Sequence, residues 1–383
     1  MRLVAESGLW STPNGAQLVE ASPLVAVLEI SGAVLTFPLD DTEDESTDPV
    51  QIAFTDLSRA DWLWRVLGES GHAALVTAAS EANGDSIDVS GVDIVPGSLG
   101  PLRRLAIGHW LRRWWPASLR DGIAGLDRAL LDAEVALLTA DAQGFFTDDT
   151  LDSDVGELLA PHANALLMHL RTGDPRIEEL VRAAAELAEE TGVDNGEWPE
   201  LALFLEDSSA IRQLTAPIGH RDDYALAAGS DTGRRGAGSI SRGVASVHWA
   251  AVPPGIFDAA EDTVDWSVET AGPEVVAVVH ADVIGPEPAT GVPVRVRSGT
   301  VSGDGALSSD GRARLSIVDA AQQPMTESAA WNHDWPNTSV VIGADIEESR
   351  ETRDRVRRWV RARLDHPPQD AFLAEILAAE SAY

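Results

Sequence analysis

Histidine and carboxylate side chains supply the acid–base chemistry open to this chain, because its 383 residues include no cysteine and no lysine. All 28 basic side chains are arginines, and they face 62 carboxylates. A thiolate nucleophile, a Schiff-base amine and the lysine of a phosphate-binding loop are therefore excluded. The chemistry that remains is general acid–base catalysis by histidine, aspartate or glutamate.

One hypothesis is a hydrolase that works with histidine and aspartate, or with a pair of carboxylates, in a cleft between domains. Its candidate acid–base residues are His220, Asp222, His248, His280 and His333. Except for His220 and Asp222, these residues are far apart in the sequence, and the hypothesis requires at least three of the five to meet at a water-accessible pocket. With 62 acids, spacing in the sequence cannot select a carboxylate pair.

Motifs for metals, nucleotides and activated serine are missing from the sequence. The chain has no His-Glu-x-x-His, no Gly-x-Ser-x-Gly and no Gly-x-Gly-x-x-Gly pattern. His280 and Asp282 would lie on one side of a strand, but two ligands do not define a metal site. We therefore predict no bound metal and no cofactor.

Tryptophans mark a second kind of candidate site, in the segment that runs from Trp331 through His333 and Asp334 to Trp335, and at Trp249. Two aromatic rings that flank polar tips are typical of a recognition loop on a β-scaffold. A sugar or a peptide could stack on Trp331 and Trp335. The structural alternative is a packed corner in which His333 and Asp334 bond to buried backbone groups.

The segment 101–120 has five arginines and three tryptophans but no carboxylate, in a chain that is otherwise acidic. As a helix it would present Arg112, Arg113 and Trp114 to an acidic partner or a membrane surface. Alternatively, the tryptophans belong to the core and the arginines pair with the chain's own carboxylates, because arginine stems pack well on apolar surface.

The net charge of -34 disfavours some partners. A negative field of this size repels nucleic-acid backbones and anionic lipids, so we expect no nucleic-acid ligand. No segment is apolar over the length of a membrane span, and the first ten residues lack the apolar core of a signal peptide. The expected location is therefore the cytoplasm, and the expected partner is another protein.

Residue patterns also predict individual elements. Ser31-Gly32 separates two β-rich runs and predicts a hairpin, while Asp174-Pro175 predicts the start of a helix that Gly192 ends. Beyond residue 243 the hydrophobic period changes to two, as Val292, Val294 and Val296 show.

The overall prediction is an α+β multidomain protein. Its segments are 1–100 as a small α+β unit, 101–227 as a helical domain, 228–243 as a Gly/Arg-rich linker or loop, 244–345 as an immunoglobulin-like antiparallel β-sandwich, and 346–383 as two C-terminal helices. Because catalytic motifs are missing, the favoured function is a non-enzymatic interaction or adaptor protein that binds through its tryptophan-rich surfaces.

Overall fold

A computed structural model describes most of the chain. The described residues are 2–6, 9–12, 23–39, 50–81, 86–146, 152–193, 197–212, 239–272 and 274–381. Within these ranges the protein is mixed α+β, with ten α-helices and three antiparallel sheets. The chain divides into two compact units, each of which combines segments that are distant in sequence.

The first unit consists of Met1–Trp115, Ala124–Leu205 and Ser349–Tyr383. Its sheet has six strands in the order β3-β4-β5-β2-β1-β6. The strands are β1 Arg2–Glu6, β2 Leu9–Ser11, β3 Val25–Ile30, β4 Ala33–Pro38, β5 Gln51–Phe54 and β6 Ser86–Asp88.

The hairpin of β3 and β4 forms at the predicted turn. Ile30 pairs with Ala33, and Gly32 adopts a φ of 72°. The Gly32 carbonyl accepts hydrogen bonds from the backbone of Thr55 and Asp56, both at 3.0 Å. A Cβ at Gly32 would collide with the Asp56 carbonyl oxygen, so this turn requires glycine for both its backbone conformation and its close packing.

Helices make up the rest of the first unit. They are α1 Leu63–Glu81, α2 Gly100–Trp114, α3 Arg128–Gln143, α4 Asp152–Leu159, α5 Ala163–Leu170, α6 Pro175–Glu190, α7 Trp198–Arg212, α9 Arg350–Asp365 and α10 Leu373–Ser381. The last residues of α7 pass into the second unit.

The predicted start and end of α6 are confirmed. The Asp174 carboxylate accepts a hydrogen bond from the Arg176 backbone at 2.8 Å, with Pro175 in the first turn. Gly192 follows the helix with a φ of 71°. Ile177, Val181 and Ala184 are buried at helical spacing, so the face that the pattern predicts is the face that packs.

The second unit consists of Pro116–Ile123 and Glu206–Glu348. It holds a four-stranded sheet in the order β12-β9-β8-β7 and a three-stranded sheet in the order β11-β10-β13. Its elements are β7 Ser239–Ala245, β8 Val264–Ala271, β9 Glu274–Ala281, β10 Pro293–Ser298, β11 Val301–Ala306, β12 Arg312–Ser316, α8 Glu327–Asn332 and β13 Ser339–Ile342.

Both sheets of the second unit contribute to one hydrophobic core. Val268 and Val279 from the four-stranded sheet and Val294 and Val296 from the three-stranded sheet are among its buried members. Alternate residues of these strands are buried, as a period of two requires.

Three local predictions differ from the structure. Strand β7 begins at Ser239, inside the segment predicted as a linker, because extended pairing with β8 compensates for its glycine and serine content. Trp249 lies in a single 3-10 turn, Trp249–Ala251, instead of a strand. Trp331 ends helix α8 instead of lying in an extended loop. The division into five segments stays a prediction, and residues 228–238 lie outside the described part of the chain.

Candidate binding groove

The outer face of the four-stranded sheet carries two rows of side chains that cross the strands. Paired residues of neighbouring antiparallel strands point to the same face. The pairing therefore places Arg242, Ser267, Val278 and Arg314 in one row, and Val244, Asp265, His280 and Arg312 in the next.

A groove with a volume of about 560 Å³ lies on this face. It is lined by Arg242, Gly243, Val244, Asp265, Trp266, Ser267, Val278 and His280. Its volume is in the range of ligand-binding clefts, which is roughly 300–1,000 Å³. Val244 on β7 and Val278 on β9 give it apolar surface, and Asp265 and Ser267 lie on strand β8 between them.

Gly243 sets the packing below the groove. It pairs in register with Trp266, and a Cβ at this position would lie 2.6 Å from Cζ2 of the indole. Because Trp266 is buried in the core of the second unit, the ring cannot move aside without disturbing that core. The glycine therefore lets the edge strand β7 lie directly over the indole.

Two arginines on this face form no ion pair with any described residue. Within the described residues, neither Arg242 nor Arg314 forms an ion pair, whereas Arg312 contacts Asp310 at 3.3 Å. The Ser267 hydroxyl donates to Glu269 at 2.8 Å. Arg242 and Arg314 thus keep guanidinium groups available to a ligand in a protein that has more than twice as many acids as bases.

The three described candidate histidines of the hydrolase hypothesis have separate surroundings. His248 donates from Nδ1 to the Ile346 carbonyl at 2.7 Å, and His333 Nε2 lies 3.0 Å from the Ser298 hydroxyl. Of the three, His280 alone lines the groove, opposite Asp265. No contact within the described residues brings these histidines together, and His220 and Asp222 lie outside the described part of the chain.

The tryptophan segment separates into an exposed ring and a buried ring. Trp331 is 57% exposed at the end of α8, and its indole lies 3.3 Å from the Glu327 carboxylate. Trp335 is only 5% exposed and donates to the Ala330 carbonyl at 2.8 Å. His333 packs edge-on against Trp335, and Asp334 is exposed. A ligand therefore could not stack on both tryptophans in this conformation.

Trp249 is a buried side chain. Its side chain is 7% exposed. The Glu348 carboxylate accepts hydrogen bonds from the backbone of Trp249 and Ala250, both at 2.7 Å, which satisfies the start of the 3-10 turn. These contacts indicate a structural role for Trp249, and little of its side-chain surface is left for a partner.

The arginines of α2 bond to carboxylates of their own unit. Arg103 contacts Asp370 at 3.2 Å, and Arg112 contacts Asp132 at 2.6 Å. Arg113 stacks on Trp114, with its guanidinium 4.5 Å from the ring centre. The structure thus favours the packing alternative for Arg112, while Trp114 stays half-buried.

Trp110, on the same helix, confirms that the tryptophan face of α2 is core. The ring is 3% exposed and packs edge-on against Trp359, with ring centres 4.9 Å apart. Its indole nitrogen donates to the Pro23 carbonyl at 2.6 Å. This face of α2 is therefore enclosed by its own unit.

A cluster of polar side chains around Asp132, which the sequence analysis did not single out, lies inside the helical part of the first unit. The Asp132 carboxylate accepts from Arg112 at 2.6 Å, from Arg128 at 2.9 Å and from His162 Nε2 at 2.9 Å. Burial alone would raise the pKa of Asp132, but the His162 hydrogen bond and the two guanidinium charges outweigh it and lower that pKa.

His109 completes this cluster as a neutral side chain. Desolvation, assisted by the Arg112 charge and opposed by Asp132, lowers the pKa of His109 to about 4. Arg112 lies 3.5 Å from His109 Nδ1, which suits an uncharged ring that accepts a hydrogen bond. The cluster has the residue types of an acid–base site, but its donors and acceptors form hydrogen bonds with each other. The i,i+4 pair Arg128 and Asp132 was the only signal for it in the sequence.

In the described ranges, no three histidine or acidic side chains are placed to share a metal ion, and no helix has the length and apolar content of a membrane span. Comparison with known protein families, curated proteins and solved structures gave no match. The function must therefore be argued from the geometry.

Proposed function

We propose that this chain is a non-enzymatic cytoplasmic interaction or adaptor protein, and that the groove of the second unit is its recognition surface. The observation that carries the proposal is the open groove of about 560 Å³, lined by two valines and by Arg242, which forms no ion pair within the described residues. Val244, which is 55% exposed on the edge strand, adds apolar surface that a partner would cover.

The proposal includes an immunoglobulin-like β-sandwich as the scaffold. The support for this scaffold is that a four-stranded and a three-stranded antiparallel sheet share one core. In such a scaffold the two inner faces pack together, and the outer faces and loops are free to bind. The groove occupies one outer face, where side-chain changes leave the core packing intact.

A hydrolase in the same groove is the second candidate, because His280 lies opposite Asp265 there. An imidazole beside a carboxylate is a general acid–base arrangement. Against it stands the separation of His280 from His248 and His333. Hydrolysis of a substrate panel that is lost in His280→Gln would support catalysis, and identical turnover in both proteins would reject it.

The binding role can be tested at the exposed valine of β7. Val244→Asp places a charge on the apolar surface of the groove at its edge strand, β7, without entering the core. We expect it to abolish cross-linking to a specific partner in the native host, measured by quantitative mass spectrometry on the full chain. Burying an unpaired carboxylate in a contact of this kind costs several kcal/mol.

The matched control is Val27→Asp. Val27 is 49% exposed and also lies on an edge strand, β3 of the first unit. The control carries the same intrinsic cost of aspartate in a strand, about 1 kcal/mol or less. Loss of the same partner in both variants, or in neither, would count against the groove as the interface.

A further inference from the structure

We propose that the outer face of the four-stranded sheet, from Arg242 in the groove to Arg314 beside it, binds an extended acidic segment of a partner protein, with carboxylates at positions i and i+4 and an apolar side chain at i+2. This inference rests on the proposed function and specifies the chemistry of the partner. The segment would lie across the strands, along the row of Arg242, Ser267, Val278 and Arg314.

The arginines of this row indicate that the ligand is negatively charged. The row begins and ends with an arginine, and neither arginine has an ion pair within the part of the chain that the structure describes. Arg312 and His280 lie in the adjacent row, where Arg312 contacts Asp310 at 3.3 Å. Asp265 is the carboxylate of that row, and it lies between the two ends. A carboxylate placed over each arginine would gain a charge-assisted hydrogen bond, so an acidic ligand fits the ends of the row.

Spacing indicates the form of the ligand. Arg242 and Arg314 are separated by three strand intervals. Neighbouring strands lie about 4.8 Å apart, which makes the separation about 14 Å. An extended chain advances about 3.3–3.5 Å per residue, so four residues cover the same distance. Side chains at i, i+2 and i+4 point to one side, which puts the middle one about 7 Å from each end, between Ser267 and Val278.

The net charge of the whole protein restricts which class of acidic molecule can bind. Nucleic acids present a continuous line of negative charge to a protein whose net charge is -34. A peptide with two isolated carboxylates meets less of this repulsion, and its apolar side chain gains contact area beside Val278. We therefore assign the groove to a protein segment.

The test uses the full chain and a capped fluorescent peptide, Ser-Glu-Ser-Val-Ser-Glu-Ser. We expect binding with a Kd below about 1 mM by fluorescence anisotropy, weakened at least tenfold by Arg242→Ala and by Arg314→Ala. Higher salt should weaken it further, because both contacts are exposed to solvent. Unchanged thermal unfolding of both variants would show that the fold is intact.

Arg297→Ala is the matched control. Arg297 is an exposed arginine on β10, in the three-stranded sheet, and likewise has no ion pair among the described residues. We expect this variant to bind the peptide as the natural protein does. Equal weakening by all three substitutions would mean that general charge attracts the peptide, and the proposal would be overturned.

A charge exchange tests the contacts directly. The double variant Arg242→Glu and Arg314→Glu should lose the glutamate peptide and gain the corresponding lysine peptide. Failure to exchange preference would reject these two arginines as the anchors. Self-association of the natural protein that disappears in the double variant would instead identify a second copy of the chain as the occupant.

The outcomes also separate this inference from the function on which it rests. If Val244→Asp still removes a cross-linked partner but the glutamate peptide does not bind, the groove is an interface and the acidic segment is wrong. If the peptide binds through both arginines while Val244→Asp changes no partner, the groove recognises acidic segments but the adaptor role fails.

Discussion

At the scale of single residues, the best-defined polar feature is the carboxylate of Asp132. Its side chain is only 5% exposed, and it bonds to Arg112, Arg128 and His162 from three directions. A buried carboxylate with this many donors stays ionised, and each donor depends on it in turn. The residues around Asp132 therefore act as one unit, and removing the carboxylate leaves several polar groups without their acceptor.

Replacing Asp132 with asparagine should destabilise the protein by about 2–4 kcal/mol, since two guanidinium groups lose their counter-charge. Urea unfolding measures the change. Asp93→Asn is the control, because Asp93 is exposed and its substitution should change stability by less than about 0.5 kcal/mol. The lowered pKa of Asp132 adds a pH effect: its stabilisation is present above about pH 4, the usual pKa of aspartate, and is lost as the pH falls through the folded-state value. Equal losses in the two variants would contradict this role.

His169 should give the opposite pH dependence. Its hydrogen bond to Asp127, 2.7 Å long, raises the pKa of His169 against the opposing effect of burial. A raised folded-state pKa stabilises the protein below about pH 6.5, the usual histidine value, and this contribution is lost as the pH rises through the folded-state pKa.

Asp127→Asn tests the pair while keeping a residue that caps helices well. Asp127 caps α3 by accepting from the Leu130 backbone at 3.0 Å, and asparagine can do the same. We expect the pKa of His169, followed by NMR, to fall in the variant while α3 stays formed. An unchanged His169 titration would show that the pair does not set its charge.

At the scale of elements, buried ion pairs join the two C-terminal helices. Arg363 on α9 contacts both carboxylate oxygens of Glu375 on α10, at 2.6 and 2.7 Å, and Glu375 is fully buried. The same carboxylate accepts from the Phe372 backbone at 2.9 Å, next to the start of α10. One side chain therefore both caps a helix and holds it to its neighbour.

Glu375→Gln should cost about 3–5 kcal/mol, because the buried Arg363 guanidinium loses its two-point carboxylate partner and keeps only the more distant Asp370, at 3.6 Å. Replacing both partners, with Arg363→Met and Glu375→Leu, should recover much of this loss. The exposed pair Arg176 and Glu380 is the control, and Glu380→Gln should cost less than about 1 kcal/mol. Chemical denaturation compares all three proteins, and similar midpoints for Glu375→Gln and Glu380→Gln would contradict the argument.

Elements with strong local signals could be predicted from the sequence, and elements fixed by tertiary pairing could not. The cap at Asp174 and the turn at Gly32 are encoded within a few residues, so α6 and the first hairpin follow from local rules. Strand β7 depends on its pairing with β8, and α8 is only six residues long, so neither has enough local signal of its own.

The candidate site was less accessible to sequence reasoning for a related reason. Arg242 and Arg314 are 72 positions apart in the chain, and they share a row only because of the strand order β12-β9-β8-β7. Hydrophobic alternation shows which residues of a strand share a face, but it does not show which strands are neighbours. The tryptophans were predicted to bind a ligand because of their residue type, although Trp249 and Trp335 are buried.

At the scale of the whole molecule, charge is the dominant property. A net charge of -34 makes self-repulsion a general cost of the folded state, while it also opposes association with other acidic molecules. Screening reduces this repulsion when salt is added, because the Debye length falls from about 10 Å at 0.1 M to about 3 Å at 1 M.

We therefore expect the thermal midpoint to rise when sodium chloride is increased at neutral pH. Differential scanning calorimetry measures the change, and adding an uncharged osmolyte to a sample of low ionic strength separates charge screening from general solvent effects. A midpoint that falls with salt would mean that attractive ion pairs outweigh the repulsion among the excess carboxylates.

The order of segments has a consequence for synthesis. The first unit takes its final two helices from Ser349–Tyr383, after the chain has passed through the second unit. Glu134 on α3 accepts a hydrogen bond from the Leu373 backbone, so early and late segments meet inside that unit. Because α9 and α10 are synthesised after the strands of the second unit, the first unit cannot complete its core until those strands have left the ribosome. During translation the core of the first unit therefore stays incomplete.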